Sequence, residues 1–333
     1  MTDEIPDIPR VPDRLREAAQ RGTLVPFVGA GASKLADCPG WPEFADAALR
    51  HFITLGKFSY SQLAQMAQLG PRVKLSIVRA LEEEHQTKVD FAKILTGSQG
   101  LHHPLGRRLY DGLDRLARVF VTTNYDSWLD SKGPPPVPVQ QSNSASGEPS
   151  PQITRKLVHK VSEIIPSLLS EENVAIHLHG SMIEPAGMIM TTKNYVAHYA
   201  NDRKAGDSPD ENRILTFLEY LFSNRTVLFV GYGLEELEIL EYVILKAKRI
   251  LGGATPDSRH FLIQGFFSNQ VELYQSLRSY YAAECGIELI PYLRDFRDWA
   301  QLVEVIEAFA RVAPASSSLA LQDFSDMASL AND

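Results

Sequence analysis

Residues 23–33 read Thr23-Leu24-Val25-Pro26-Phe27-Val28-Gly29-Ala30-Gly31-Ala32-Ser33. An apolar run over 24–28 stops abruptly in glycine, alanine and serine, the pattern of a buried parallel strand entering a tight turn. A side chain larger than a methyl would hold a phosphate away from the backbone N–H groups of such a turn. Glycine also accepts the positive φ values that aim those N–H groups inward. The turn reads as a phosphate cradle, with the N-terminus of the following helix adding partial positive charge. An ordinary strand-to-turn junction has the same look, because short glycine motifs are weak signals alone.

Working outward, three more apolar runs end in small or polar residues. Residues 117–123 lead into Asn124-Tyr125-Asp126, 173–179 end in His179-Gly180, and 226–230 end in Gly231-Tyr232-Gly233. Further strands are expected over 260–267 and 287–293, and a small one over 188–190. Helical spacing occupies 12–21, 41–55, 62–69, 73–84, 89–95, 104–116, 211–222, 235–250, 270–284 and 296–312, with a helical turn at 194–200. Residues 153–169 are amphipathic, with Pro166 near their end. Strands alternating with helices predict an α/β fold, a Rossmann-like parallel sheet with helices on both faces. The run of helices over about 42–116 predicts an inserted helical subdomain. One domain is expected over 1–312, with a mobile Pro/Ser-rich loop at about 132–151, a polar loop at 201–210 and a flexible tail at 313–333. Ligands of such sheets bind at the carboxyl ends of the strands, so the four polar strand ends should meet on one rim.

The 333 residues are 44% apolar and 22% charged, as in a globular protein, with a formal charge of −8. That charge gives no general attraction to nucleic acid or to an anionic membrane. The two cysteines, Cys38 and Cys285, supply neither a disulfide framework nor a four-cysteine zinc site. With an acidic N-terminus unlike a signal peptide and no membrane-spanning apolar run, a cytoplasmic location is expected.

The combination resembles the sirtuin superfamily. Its Gly-Ala-Gly-x-Ser loop is matched by Gly29 to Ser33. Its Thr-Gln-Asn-x-Asp element is matched by Thr122-Thr123-Asn124-Tyr125-Asp126, with Thr for Gln. Its His-Gly is matched by His179-Gly180, and its later glycine turn by Gly231-Tyr232-Gly233-Leu234, with Gly for Ser. Sirtuin deacylases carry a zinc ribbon of four cysteines, which this chain cannot build, and a shorter gap between the Asn and His motifs. Trp41-Pro42-Glu43-Phe44 and residues 191–195 look instead like the prokaryotic sirtuin-like domains that cleave NAD in antiphage defence. The resemblance implies an NAD hydrolase with NAD as substrate and no metal. It also implies a homo-oligomer and a separate activating partner, such as a DNA-translocating ATPase or an Argonaute-type protein.

On this reading Gly29, Ala30, Gly31, Ala32, Ser33, Thr123, Gly231, Tyr232 and Gly233 contact the dinucleotide, and Asn124, Asp126 and His179 are catalytic. A neutral amide such as Asn124 both donates and accepts, which suits a ribose hydroxyl or the attacking water, although an Asn also commonly caps a turn. Asp126 either orients Asn124 or the ribose, or caps the next turn. His179 is the expected general base, since imidazole accepts a proton near neutral pH. His177 shares its strand face and reads as structural or as a support for the site; no third ligand for a His-x-His metal site is evident. Gly231 to Gly233 fit a plain strand-to-helix turn equally well. Tyr195 either covers the site or packs in the core. The alternatives are a module that senses NAD or ADP-ribose without turnover, a deacylase, and a dehydrogenase. The last is disfavoured because a helix, not a second strand with an acidic end, follows the loop.

Overall fold

The computed structural model describes residues 4–132, 153–199, 212–233 and 260–316. The strands are β1 (Leu24–Val28), β2 (Val119–Thr122), β3 (Ser131–Lys132), β4 (Ile153–Thr154), β5 (Lys156–Val158), β6 (Val174–His177), β7 (Thr226–Val230), β8 (His260–Phe266) and β9 (Ile287–Leu293). Seven of them form one sheet in the order β5-β6-β2-β1-β7-β8-β9, while β3 and β4 make a separate antiparallel ladder. Every pairing in the large sheet is parallel.

The apolar runs are continuous because both faces of each central strand are covered. In β1, Val25 and Phe27 enter one core, and Leu24 and Val28 enter the other. In β7, Val227 and Phe229 divide from Leu228 and Val230 in the same way. One face is covered by α9 (Arg213–Asn224) and α10 (Val271–Tyr280), the other by α1 (Asp13–Gln20), α7 (Pro104–Leu116) and α11 (Gln301–Val312). Of the intervening helices, α2 (Ala30–Lys34) follows the glycine of β1 at once. Next come α3 (Trp41–Thr54), α4 (Tyr60–Gln65), α5 (Pro71–His85) and α6 (Phe91–Leu95), and then α8 (Thr192–Tyr199) further on. Helices α3, α5 and α6 share a third core with Tyr125, Met188 and Met190. The helical subdomain therefore sits against the rim of the sheet. Helix α7, which the sequence grouped with it, packs on the sheet through Leu109, Leu113 and Leu116.

Two other readings differ. Residues 188–190 form no strand: Met188 and Met190 point into the third core, while Ile189 donates to the His179 carbonyl at 2.9 Å. The amphipathic stretch 153–169 contains the edge strand β5 and two 3-10 turns, because pairing of Lys156–Val158 with β6 outcompetes a continuous helix and Pro166 starts a new turn. The expected helix at 235–250, the polar loop at 201–210, nearly all of the loop at 132–151 and the tail from 317 onward lie outside the described residues.

Chain direction sets the site. From β1 the chain moves outward to β2 and β6, then returns to β7 on the other side of β1, so strand order reverses between β1 and β7. That reversal opens a crevice at the carboxyl ends of the two strands. Among the described residues no helix is long and apolar enough to cross a membrane.

Candidate functional site

The registers place the strand ends in one row. Val28 is level with Thr122 and with Val230, and Thr122 is level with His177. The segments beginning at Gly29, Thr123, Leu178 and Gly231 thus leave the sheet at the same height, in line with the polar strand ends of the sequence.

The glycines are needed where two of these segments touch. Gly29 donates to Val230 O at 2.9 Å, and Gly31 donates to Gly231 O at 2.8 Å. A Cβ on Gly231 would lie 2.2 Å from the Ala32 nitrogen, and its φ of +70° is itself a glycine conformation. The small residues therefore let the two loops flanking the crevice close on each other. The Ala32 N–H is also engaged, by Gly29 O. Ala30, Gly31, Gly231 and Gly233 remain at least partly exposed, whereas Gly29, Ala32 and Ser33 are buried. Tyr232 is buried with its ring edge-on to Phe27, and its hydroxyl pairs with Thr123 Oγ1 at 2.8 Å. Its ring thus lies under Gly29.

Asn124 is held at almost every polar atom. Its N–H reaches Thr122 Oγ1, its carbonyl meets His177 Nδ1, and its amide nitrogen donates to Gly29 O at 3.0 Å and Ser33 Oγ at 2.8 Å. A carbonyl can only accept, so the Gly29 contact fixes which way the amide faces. Oδ1 is left to accept from a ligand. Ser33 Oγ donates to Asp126 Oδ2 at 2.6 Å and meets Tyr110 Oη at 3.0 Å. Asp126 also accepts from the Trp128 N–H, so it both caps the turn and orients Asn124 through Ser33. Burial raises the Asp126 pKa, against the pull of Ser33 and Trp128. Ser33, read as a phosphate ligand, faces this buried network.

His177 is fully buried between two acceptors, Asn124 O at 2.9 Å and Asp130 Oδ1 at 3.0 Å. Burial alone would lower its pKa; the hydrogen bond and charge of Asp130 outweigh that and leave it raised.

His179, at the end of the same strand, has the opposite setting. Burial, with the nearby His198 and Arg72, pushes its pKa down to about 3, so the imidazole is neutral at pH 7. Its Nε2 pairs with the Tyr199 hydroxyl at 2.7 Å. Tyr195, His198 and Tyr199 surround it, with ring centroids 5.3, 5.7 and 5.9 Å away. All three come from one face of α8, at i, i+3 and i+4 spacing. Gly180, at φ +82°, turns the chain directly after His179, where a Cβ would meet Gly187 O at 2.7 Å.

The structure thus brings every expected site residue to this rim. Sequence reading missed Tyr110, Asp130, His198, Tyr199 and Arg72. Only the aromatic spacing of α8 carried a local signal. Among the described residues no group of three or more His, Cys, Asp or Glu side chains could hold a metal ion.

A family model described as a SIR2-like domain matches residues 118–290, just over half of the chain. The match runs from the start of β2 into β9 and includes Asn124, Asp126, His179 and Gly231, while the glycine loop after β1 lies before it. No curated protein matches the chain.

Proposed function

The chain belongs to the SIR2-like domain family, whose members use NAD, and from that premise we propose that it is an NAD glycohydrolase. The observation that carries this reading is the pairing, at one rim, of a clamped amide whose Oδ1 is left to accept with a neutral imidazole. The dinucleotide lies across the β1/β7 crevice, against Ala30, Gly31, Gly231 and Gly233. Asn124 Oδ1 accepts from a ribose hydroxyl or from water. The bond between nicotinamide and ribose breaks, its electron pair neutralises the pyridinium ring, and an oxocarbenium-like ribose is left. Water adds to that carbon and its proton passes to His179. In the tautomer whose Nε2–H donates to the Tyr199 hydroxyl, His179 presents the Nδ1 lone pair as the base. The products are nicotinamide and ADP-ribose. Positively charged nicotinamide leaves readily, so the base contributes about 10²–10⁴-fold. Its resemblance to antiphage sirtuin-like domains supports a toxic effector that depletes NAD. The same resemblance supports a homo-oligomer with a separate activating protein, such as a DNA-translocating ATPase or an Argonaute-type protein.

The test is chromatography of NAD incubated with the purified protein, with Asn124→Ala and with His179→Ala. Wild type is expected to release nicotinamide and ADP-ribose, and each variant to lose at least about a hundredfold. Undiminished cleavage by either variant would sink its assigned role. The Tyr199 hydroxyl seated on His179 favours a second reading, a module that holds NAD or ADP-ribose without turnover. Tight ADP-ribose binding without cleavage would select it.

A further inference from the structure

The loop expected to cradle a diphosphate uses much of its hydrogen-bonding capacity internally: the N–H groups of Gly29, Gly31 and Ala32 donate to Val230, Gly231 and Gly29 carbonyls. A protein with a formal charge of −8 that takes a dinucleotide anion needs a local cation. Arg72 is such a cation. It is half-buried in the first turn of α5, with its guanidinium 3.7 Å from the Tyr195 ring centroid. Among the described residues it makes no ion pair or hydrogen bond through its side chain, whereas its neighbour Lys74 is neutralised by Asp46 at 2.8 Å. The first turn of α5 holds no acidic residue, so Arg72 sits against the positive end of the helix without compensation.

A second, independent observation comes from the same aromatic cluster. His198 is only 7% exposed, and among the described residues its Nε2 has no hydrogen-bond partner. Whichever tautomer the ring adopts, Nε2 is a donor or an acceptor that a hydroxyl could meet. A buried polar atom left so is costly unless something arrives to satisfy it. Among the described residues, one aromatic cluster around His179 thus holds a cation without an ion pair and a buried ring nitrogen without a partner.

We infer that Arg72 and His198 form a ribose-phosphate subsite beside His179, Arg72 holding a phosphate oxygen of the dinucleotide and His198 Nε2 hydrogen-bonding a ribose hydroxyl. Tyr195 is the platform that keeps the guanidinium in place. This rests on the reading of the rim as an NAD site and adds the residues that recognise the anionic half of the ligand.

Calorimetry of ADP-ribose binding to the full chain tests it, comparing wild type with Arg72→Gln, Arg72→Lys and His198→Phe. Nicotinamide riboside, which has no phosphate, is the control ligand, and thermal unfolding checks each variant. Arg72→Gln should weaken ADP-ribose by on the order of tenfold to a hundredfold, the size of a charge-assisted hydrogen bond, and Arg72→Lys should recover part of it. The control ligand should lose less than about twofold with Arg72→Gln, whereas His198→Phe should weaken both ligands by at least severalfold. Equal ADP-ribose binding by wild type and Arg72→Gln would overturn the subsite alone. Equal losses for the two ligands with Arg72→Gln would also overturn it, by making Arg72 a packing residue. Failure of wild type to bind ADP-ribose would overturn the NAD reading as well.

Discussion

The rim has two sides that treat polar groups in opposite ways. On the Asn124 side, Gly29, Ser33, Tyr110, Asp126, Trp128, His177 and Asp130 are joined by hydrogen bonds, with only Asp130 Oδ2 buried and unpartnered. On the His179 side, one hydrogen bond to Tyr199 is accompanied, among the described residues, by a His198 Nε2 without a hydrogen-bond partner and an Arg72 that stacks on Tyr195 without an ion pair. The first side is a finished frame that leaves one amide oxygen available. The second keeps fewer of its polar groups paired among the described residues. The lesson is that motif residues can be present for different reasons: Ser33 and Asp126 fix geometry, and His179 is, on the proposed reading, the base.

The contrast has a consequence in pH. His177 is raised in the folded state, so its contribution is fully present below its ordinary value of 6.5 and is lost as pH rises through the folded value. His179 is lowered, so between 6.5 and about 3 the unfolded chain binds a proton that the folded chain does not, and stability falls as pH falls. Two histidines separated by one residue therefore pull stability in opposite directions.

Substitutions can break or sharpen this comparison. The largest effect is expected on the finished side. Asp126→Ala would leave Ser33 and the Trp128 N–H without their buried acceptor and should cost about 3 kcal/mol in urea unfolding. A loss within about 0.5 kcal/mol would mean that the network is not a frame. Next comes acid sensitivity. Between pH 7 and pH 5, wild type should lose about 2 kcal/mol more than His179→Gln, since the variant carries no imidazole to titrate on unfolding. Parallel losses in the two proteins would show that His179 is not held neutral. The smallest effect is expected from His198→Phe, which exchanges an orphaned nitrogen for an apolar ring. At pH 7 it should alter stability by no more than about 1 kcal/mol in either direction. A large destabilisation there would mean that His198 belongs to the frame after all.

Much of the rim is legible in the amino-acid order. The runs at 24–28, 117–123, 173–179 and 226–230 are largely apolar because both faces of the sheet are covered, and each ends within two residues of its strand's end. Asn124 and His179 stand out because polar residues directly after such runs fall at the ligand-binding edge. Trp41 and Phe44 are visible as a motif, but their role is not: Trp41 stacks on Tyr125 and Phe44 packs against it at a tilt, which ties the helical subdomain to the Asn124 turn. Arg72 gives no sign at all. It is an ordinary helical arginine until the fold lays Tyr195, more than a hundred residues away, beneath it.

The sequence by itself determined the central strands, the glycines at their ends and the order of the polar motifs, because these follow from local periodicity and from the steric needs of one turn. Only the tertiary structure decided what each motif residue does. Whether a Ser33 hydroxyl faces a ligand or an aspartate, and whether a pKa is raised as at His177 or lowered as at His179, depends on burial and on partners brought from distant segments. Neighbours in space set the free energy of a proton or a hydrogen bond, and neighbours in sequence do not specify them.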